Sequence, residues 1–181
     1  MKYTHNYMKI FLDTADTEII NEYFKTGLID GVTTNPTLIM KSGRNPEDVY
    51  QEIKDIGITD ISMEVVGDEG EMYREGKRLY EKFGDVCTVK VPCTREGLAV
   101  CKSLSDQNIK VNVTLIFSAA QAILAAKAGA NYVSPFIGRL DDISSDGLSL
   151  ISEIRQIFDN YNFKTEILSA SIRHNMHIID C

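Results

Sequence analysis

Four things the sequence lacks narrow its reading. No apolar run approaches the roughly 18 residues that a helix needs to cross a bilayer, so no membrane partner is expected. The four cysteines, Cys87, Cys93, Cys101 and Cys181, include no pair at metal-ligand spacing and make no disulfide framework. They suit a reducing cytoplasm, most of them as small buried apolar groups, and no metal site is expected. Positive charge is scarce: 19 Lys and Arg against 26 Asp and Glu give a net charge of −7. That argues against nucleic acid as a partner but leaves room for one local basic pocket. Finally, there is no P-loop, and Asp13-Thr14-Ala15-Asp16 stands where a dinucleotide-binding Gly-x-Gly-x-x-Gly turn would follow the first strand.

What is present is a regular alternation. Short apolar runs at Lys9–Asp13, Gly31–Thr34, Ile61–Val65, Val86–Lys90, Lys110–Leu115, Asn131–Ser134 and Phe163–Ser169 read as strands. Amphipathic stretches separate them: Asp16 to about Thr26, Asn45–Gly57, Glu69–Phe83, Thr94–Ser105, Ser118–Ala128 and Asp146–Asn160, with a last helix beginning at Arg173. Such β-α units, recurring about every 25 residues, indicate a parallel sheet with helical crossovers. With 181 residues and 44% apolar content, one core is expected, as a single domain over residues 8–181. Residues 1–7 lack the apolar segment of a signal peptide and read as an N-terminal extension.

Side chains two apart on a strand share a face, which separates an open sheet from a closed one. Lys90 shares its face with Thr88 and Val86, while Cys87, Val89 and Val91 point the other way. On the same principle Asp13 goes with Phe11, Thr33 with Asn35, Ser62 with Glu64, and Asn112 with Thr114. Ser134 ends the sixth strand, and Ser169 and Ser171 close the seventh. Polar and ionisable groups thus recur at the carboxyl ends of all seven strands. A TIM-type (β/α)8 barrel gathers such groups at one mouth; a sheet covered on both faces does not. Lys90 stands out, because burial disfavours an ammonium and frees an amine to attack a carbonyl.

The residues also carry a resemblance. Phe11-Leu12-Asp13-Thr14-Ala15-Asp16, Gly31 through Ile39, Val89-Lys90-Val91-Pro92 with Glu96-Gly97-Leu98, and Asn112 through Ser118 resemble the transaldolase family. So do Gly129-Ala130, Ser134 through Arg139 and Ser169-Ala170-Ser171-Ile172-Arg173, in the family's order and spacing over nearly the whole chain after Met8. The short length resembles the compact branch, which also contains the fructose-6-phosphate aldolases. Those aldolases carry Gln and Tyr where this sequence has Glu64 and Phe136, the residues of transaldolases.

The resemblance implies transfer of a dihydroxyacetone unit from sedoheptulose 7-phosphate or fructose 6-phosphate to glyceraldehyde 3-phosphate or erythrose 4-phosphate, in the pentose phosphate pathway. Lys90 would form the Schiff base, Asp13 would take the C4 hydroxyl proton, and Glu64 would relay protons through a water. Thr114, with Asn35, Asn112 and Ser134, would hold the three-carbon unit and that water. Thr33 and Phe136 complete the substrate wall, and Arg139, Ser171 and Arg173 would grip the phosphate. No cofactor is implied beyond the covalent adduct on Lys90. A family member would continue past Cys181 through an eighth strand, so the barrel is expected to be truncated after the seventh, and a homo-oligomer is expected of the full length. The alternatives are a fructose-6-phosphate aldolase and a catalytically silent sugar-phosphate-binding fragment. His174 and His177, three residues apart, read as ordinary structural residues.

Overall fold

Valine- and isoleucine-rich runs too short for helices pair side by side, and the helices between them cover one face of the resulting sheet. The computed structural model describes residues 8–181, and the extension expected at 1–7 lies outside the described residues. The strands are β1 Phe11–Asp13, β2 Gly31–Thr33, β3 Ile61–Glu64, β4 Cys87–Pro92, β5 Val111–Ile116, β6 Tyr132–Pro135 and β7 Glu166–Ile167. All pair in parallel, in the order β1-β2-β3-β4-β5-β6-β7. The helices are α1 Thr17–Phe24, α2 Pro36–Ser42, α3 Pro46–Ile56, α4 Glu69–Phe83, α5 Arg95–Ser105, α6 Ala119–Lys127, α7 Ile137–Asp141, α8 Gly147–Asn160 and α9 Asn175–Ile179. This is an α/β fold, a TIM-type barrel lacking its closing strand among the described residues. Among those residues no helix is long and apolar enough to cross a membrane.

The core lies between the strands and the helices. Val32, Ile61, Met63, Val89, Val91, Val111, Val113 and Val133 are fully or almost fully buried on the helix-facing side, against Ile20, Ile53, Leu79, Leu104 and Ile154. Each such side chain contributes about 1.5–3 kcal/mol by leaving water. Two glycines let helices approach β4 closely. A Cβ at Gly76 in α4 would lie 2.8 Å from Val89 Cγ1, and one at Gly97 in α5 would lie 2.0 Å from the Pro92 carbonyl oxygen. The strand bearing Lys90 is thereby clamped from two sides.

Most helices start with a side-chain cap soon after the strand or loop before them. Asp16, Asn35, Asn45, Thr94, Ser118 and Asp146 accept from backbone N–H groups of the first turn, and Asp68 with Glu71 forms a capping box. At the opposite, amino end of the strands, Asp60 accepts from Thr88 Oγ1 at 2.7 Å and Tyr132 Oη at 3.0 Å, with Lys110 Nζ at 3.4 Å. Burial first, and then the negative Asp60, push the Tyr132 phenol well above its ordinary value. The two outer strands are drawn together at this end, where Lys9 Nζ lies 2.8 Å from Glu166 Oε1.

Three details differ from the sequence reading. The short helices α2 and α7 are not among the helices expected from the sequence. The strand expected over Phe163–Ser169 is only Glu166–Ile167, extended by a single bridge between Phe136 and Ala170. Its phase also differs, because Tyr132 pairs with Glu166 and Val133 with Ile167. Ser169 therefore falls on the helix-facing side, where Cys181 Sγ donates to it at 3.4 Å, and not on the interior face expected for it.

Burial sets the reactivity of the cysteines. The Cys87 thiol is pushed up to about 12 and that of Cys101 to about 11, in both cases mainly by desolvation, and Cys93 is raised for the same reason. At about pH 8, an alkylating reagent should modify exposed Cys181 first, Cys93 slowly, and Cys87 and Cys101 only on unfolding. Peptide mass mapping over time reads this order, and rapid labelling of all four thiols in the native protein would contradict it.

Candidate active site

The β3–β4–β5 ladder puts Lys90 level with Glu64 on one side and Asn112 on the other. Lys90 is 6% exposed. Its Nζ donates to the Thr34 carbonyl oxygen at 2.9 Å and lies 3.0 Å from Glu64 Oε2. An amine taken this far from water needs such partners. The Thr34 oxygen is available because β2 ends at Thr33 and the chain turns there into α2. The Lys90 nitrogen and the Glu64 carboxylate thus stand side by side at the carboxyl ends of their strands.

Asn112 is buried next to Lys90. It accepts from Ser134 Oγ at 2.9 Å and donates to Ser62 Oγ at 3.2 Å, tying β3, β5 and β6 together across the interior. One N–H and one lone pair of the amide remain uncommitted. Thr114 is 1% exposed, and its Oγ1 makes no hydrogen bond within the described residues. After Thr114 the ladder slips: the register shifts between Val113 and Ile116, and Leu115 takes a left-handed φ of 59°. Such a bulge re-aims side chains at a strand's end.

Asp13 is exposed at the end of β1 and accepts from Thr33 Oγ1 at 2.7 Å, the two residues being level in the ladder. Asn35 caps α2, its Oδ1 accepting from the Leu38 N–H at 2.9 Å, which leaves its amide N–H groups free. On the β6 side, the Phe136 ring packs against Phe117 with centroids 5.7 Å apart and lies under the Arg139 guanidinium at 5.7 Å. Arg173 Nε donates to Ser171 Oγ at 3.4 Å, and its guanidinium pairs with Asp142 at 2.8 Å. Ser171 has a φ of 57°, which takes it out of the strand's alternation.

Three clusters thus surround the mouth: Lys90–Glu64 with Asn112, Ser134 and Thr114; Asp13 with Thr33; and Phe136–Arg139 beside Ser171–Arg173. Sequence reasoning missed the Thr34 carbonyl oxygen, Ser62 as the partner of Asn112, and Tyr50 of α3. The Tyr50 phenol is raised chiefly by burial, lowered somewhat by its bond with the Thr34 hydroxyl, and raised further by charges including Glu64. A buried tyrosine amid the apolar positions of α3 carries no sequence signal of that kind.

The family described as Transaldolase/Fructose-6-phosphate aldolase matches residues 10–181. The chain belongs to this family. Among its relatives, a "Probable transaldolase" of Paracoccus denitrificans (strain Pd 1222) is 59% identical over 174 residues, covering 96% of this chain and 80% of the relative. A "Probable transaldolase" of Nitrosopumilus maritimus (strain SCM1) is 57% identical over 175 residues, covering 96% of this chain and 78% of the relative. Among solved structures, A198G:L230A flavocytochrome b2 with sulfite bound superposes with a TM-score of 0.68 at 12% identity. That alignment takes in 96% of this chain and 53% of the flavocytochrome, about half its length, and is a likeness of fold alone. Membership of the family makes this an enzyme fold of the transaldolase and aldolase kind.

Proposed function

We propose that the protein is a transaldolase that works through a Schiff base on Lys90. The observation that carries this reading is a buried amine at a strand's carboxyl end, 3.0 Å from a carboxylate. The names of the relatives also favour it. The Lys90 amine adds to the C2 ketone of a ketose phosphate, and loss of water gives an iminium ion. Glu64 carries the protons of addition and dehydration through a water. Asp13 takes the C4 hydroxyl proton, the C3–C4 bond breaks, and its electron pair moves into the iminium as an enamine. An aldose phosphate leaves.

The enamine carbon then attacks the aldehyde of a second aldose phosphate, and Asp13 returns its proton to the new hydroxyl. Hydrolysis frees the product ketose and the amine. Asn112, Ser134, Thr114 and Asn35 hold the hydroxyl groups of the three-carbon unit, with Thr33 and Phe136 beside it. Arg139, Ser171 and Arg173 bind the phosphate. Sedoheptulose 7-phosphate or fructose 6-phosphate would serve as donor, as in the pentose phosphate pathway.

Glu64 and Phe136 favour transfer over simple cleavage, since the compact aldolases carry Gln and Tyr at those places. Fructose 6-phosphate alone should therefore be cleaved only slowly, and adding erythrose 4-phosphate should speed its consumption with formation of sedoheptulose 7-phosphate. A coupled assay with and without acceptor measures this. Equal rates, with free dihydroxyacetone accumulating, would assign the protein to the aldolases instead.

A further inference from the structure

The chemistry above does not use the buried imidazole of His177. His177 of α9 is 3% exposed, although Met176, Ile178 and Ile179 around it are exposed. An imidazole buried this fully needs partners for both nitrogens, and it has them. Nδ1 accepts from the backbone N–H of Arg173 at 3.2 Å, and Nε2 stands 2.9 Å from Asp141 Oδ2. With Nδ1 an acceptor, the ring proton is assigned to Nε2 and donated to Asp141. Asp141 ends α7, and its other oxygen accepts from the Gly147 N–H at 3.1 Å. The His174 ring lies against His177, with centroids 3.8 Å apart.

The imidazole is therefore a strut between the two segments read as the phosphate site. Its Asp141 end is on the helix that carries Arg139, and its Arg173 end is on the segment that carries Ser171. The two segments are also sewn together where the N–H groups of Ile137 and Gly138 donate to the carbonyl oxygens of Ala170 and Ser171, each at 3.0 Å. They touch so closely that a Cβ at Gly138 would lie 2.5 Å from the Ser171 oxygen. A serine at φ 57° persists only where its surroundings hold it there. The exposed pair between Arg173 and Asp142 is too well solvated to do so alone.

We infer that His177 is a positioning residue that fixes the Ser171–Arg173 segment against α7, and so sets the affinity of the mouth for the phosphate of its sugar substrate. The inference rests on the reading of Arg139, Ser171 and Arg173 as phosphate ligands. The strut acts on phosphate affinity and leaves the Lys90 chemistry alone.

Two probes separate these effects: fructose 6-phosphate, and dihydroxyacetone, which has no phosphate but can form the same borohydride-trapped adduct. Three variants are compared. In His177→Asn the amide oxygen takes the place of Nδ1, in His177→Gln the amide reaches only toward Nε2, and Arg173→Gln removes the cation itself. His177→Gln should raise the KM for fructose 6-phosphate about tenfold or more, the weight of a lost hydrogen bond near an ionised ligand, with kcat within about twofold. Its trapping with dihydroxyacetone should match the parent, and His177→Asn, which keeps the Arg173 contact but gives up Asp141, should raise the KM as well.

If His177→Gln loses dihydroxyacetone trapping as steeply as fructose 6-phosphate affinity, the residue supports the fold at large and the inference is overturned. If its KM is unchanged while that of Arg173→Gln rises, the strut role fails and the phosphate reading stands. If Arg173→Gln also leaves KM unchanged, the phosphate reading itself fails and takes this inference with it.

Discussion

Replacing Lys90 by alanine should abolish the borohydride-trapped adduct and lower turnover by about 10⁴-fold or more, the scale seen when an enzyme loses its covalent nucleophile. Among the described residues no other amine takes its place, because the ladder sets only Lys90 level with Glu64 and Asn112. The substitution also strips Glu64 of the cation 3.0 Å away, so a thermal melt must show that the variant stays folded. Mass spectrometry of the parent trapped with substrate should find the added mass on the peptide containing Lys90. Turnover retained in a folded Lys90→Ala protein would mean that the nucleophile lies elsewhere.

Asp13→Asn should lower the rate of transfer by roughly 10²–10⁴-fold, the usual contribution of a positioned general acid–base group. The amide oxygen can still accept from Thr33 Oγ1, which now stands 2.7 Å from the carboxylate, so the local geometry is kept while the basicity is lost. Because forming the Schiff base does not require C3–C4 cleavage, dihydroxyacetone trapping on Lys90 should remain near the parent level. Stopped-flow measurement of aldose phosphate release separates the two steps. Unimpaired release would remove Asp13 from this role, and loss of trapping together with release would make it a structural residue.

Much of this arrangement was legible in the amino-acid order, because a parallel strand's burial and its two-residue period are both local properties. The parity of Ser62 with Glu64, of Thr88 with Lys90 and of Asn112 with Thr114 reappears in the ladder. Lys90 was legible as a cation stranded in Val-Lys-Val, where burial forces a partner. The seventh strand was not: the apolar run from Phe163 is pairing-competent throughout, but only Glu166 and Ile167 find a ladder, and the left-handed Ser171 breaks the period on which the parity test rests. The short helices α2 and α7, with Pro36 and Gly138 in them, were missed because 7 and 5 residues are too few to show a helical period. Pro36 opens its helix, and Gly138 gives α7 room beside Arg173. Contacts made by a backbone carbonyl, such as that of Thr34 with Lys90, leave no trace in residue identity.

Two of the non-glycine residues with positive φ, Leu115 and Ser171, stand at the rim, whereas Asn108, Ser144 and Asn162 lie in the turns that follow helices α5, α7 and α8. A leucine in that conformation costs about 1–2 kcal/mol, so the rim is kept like a drawn spring by the staves beneath it. Relaxing Leu115 to an ordinary extended conformation would straighten the bulge and turn the residues after it to the other face of the strand. The shape of the mouth is thus tied to one backbone angle that the strands below it hold in place.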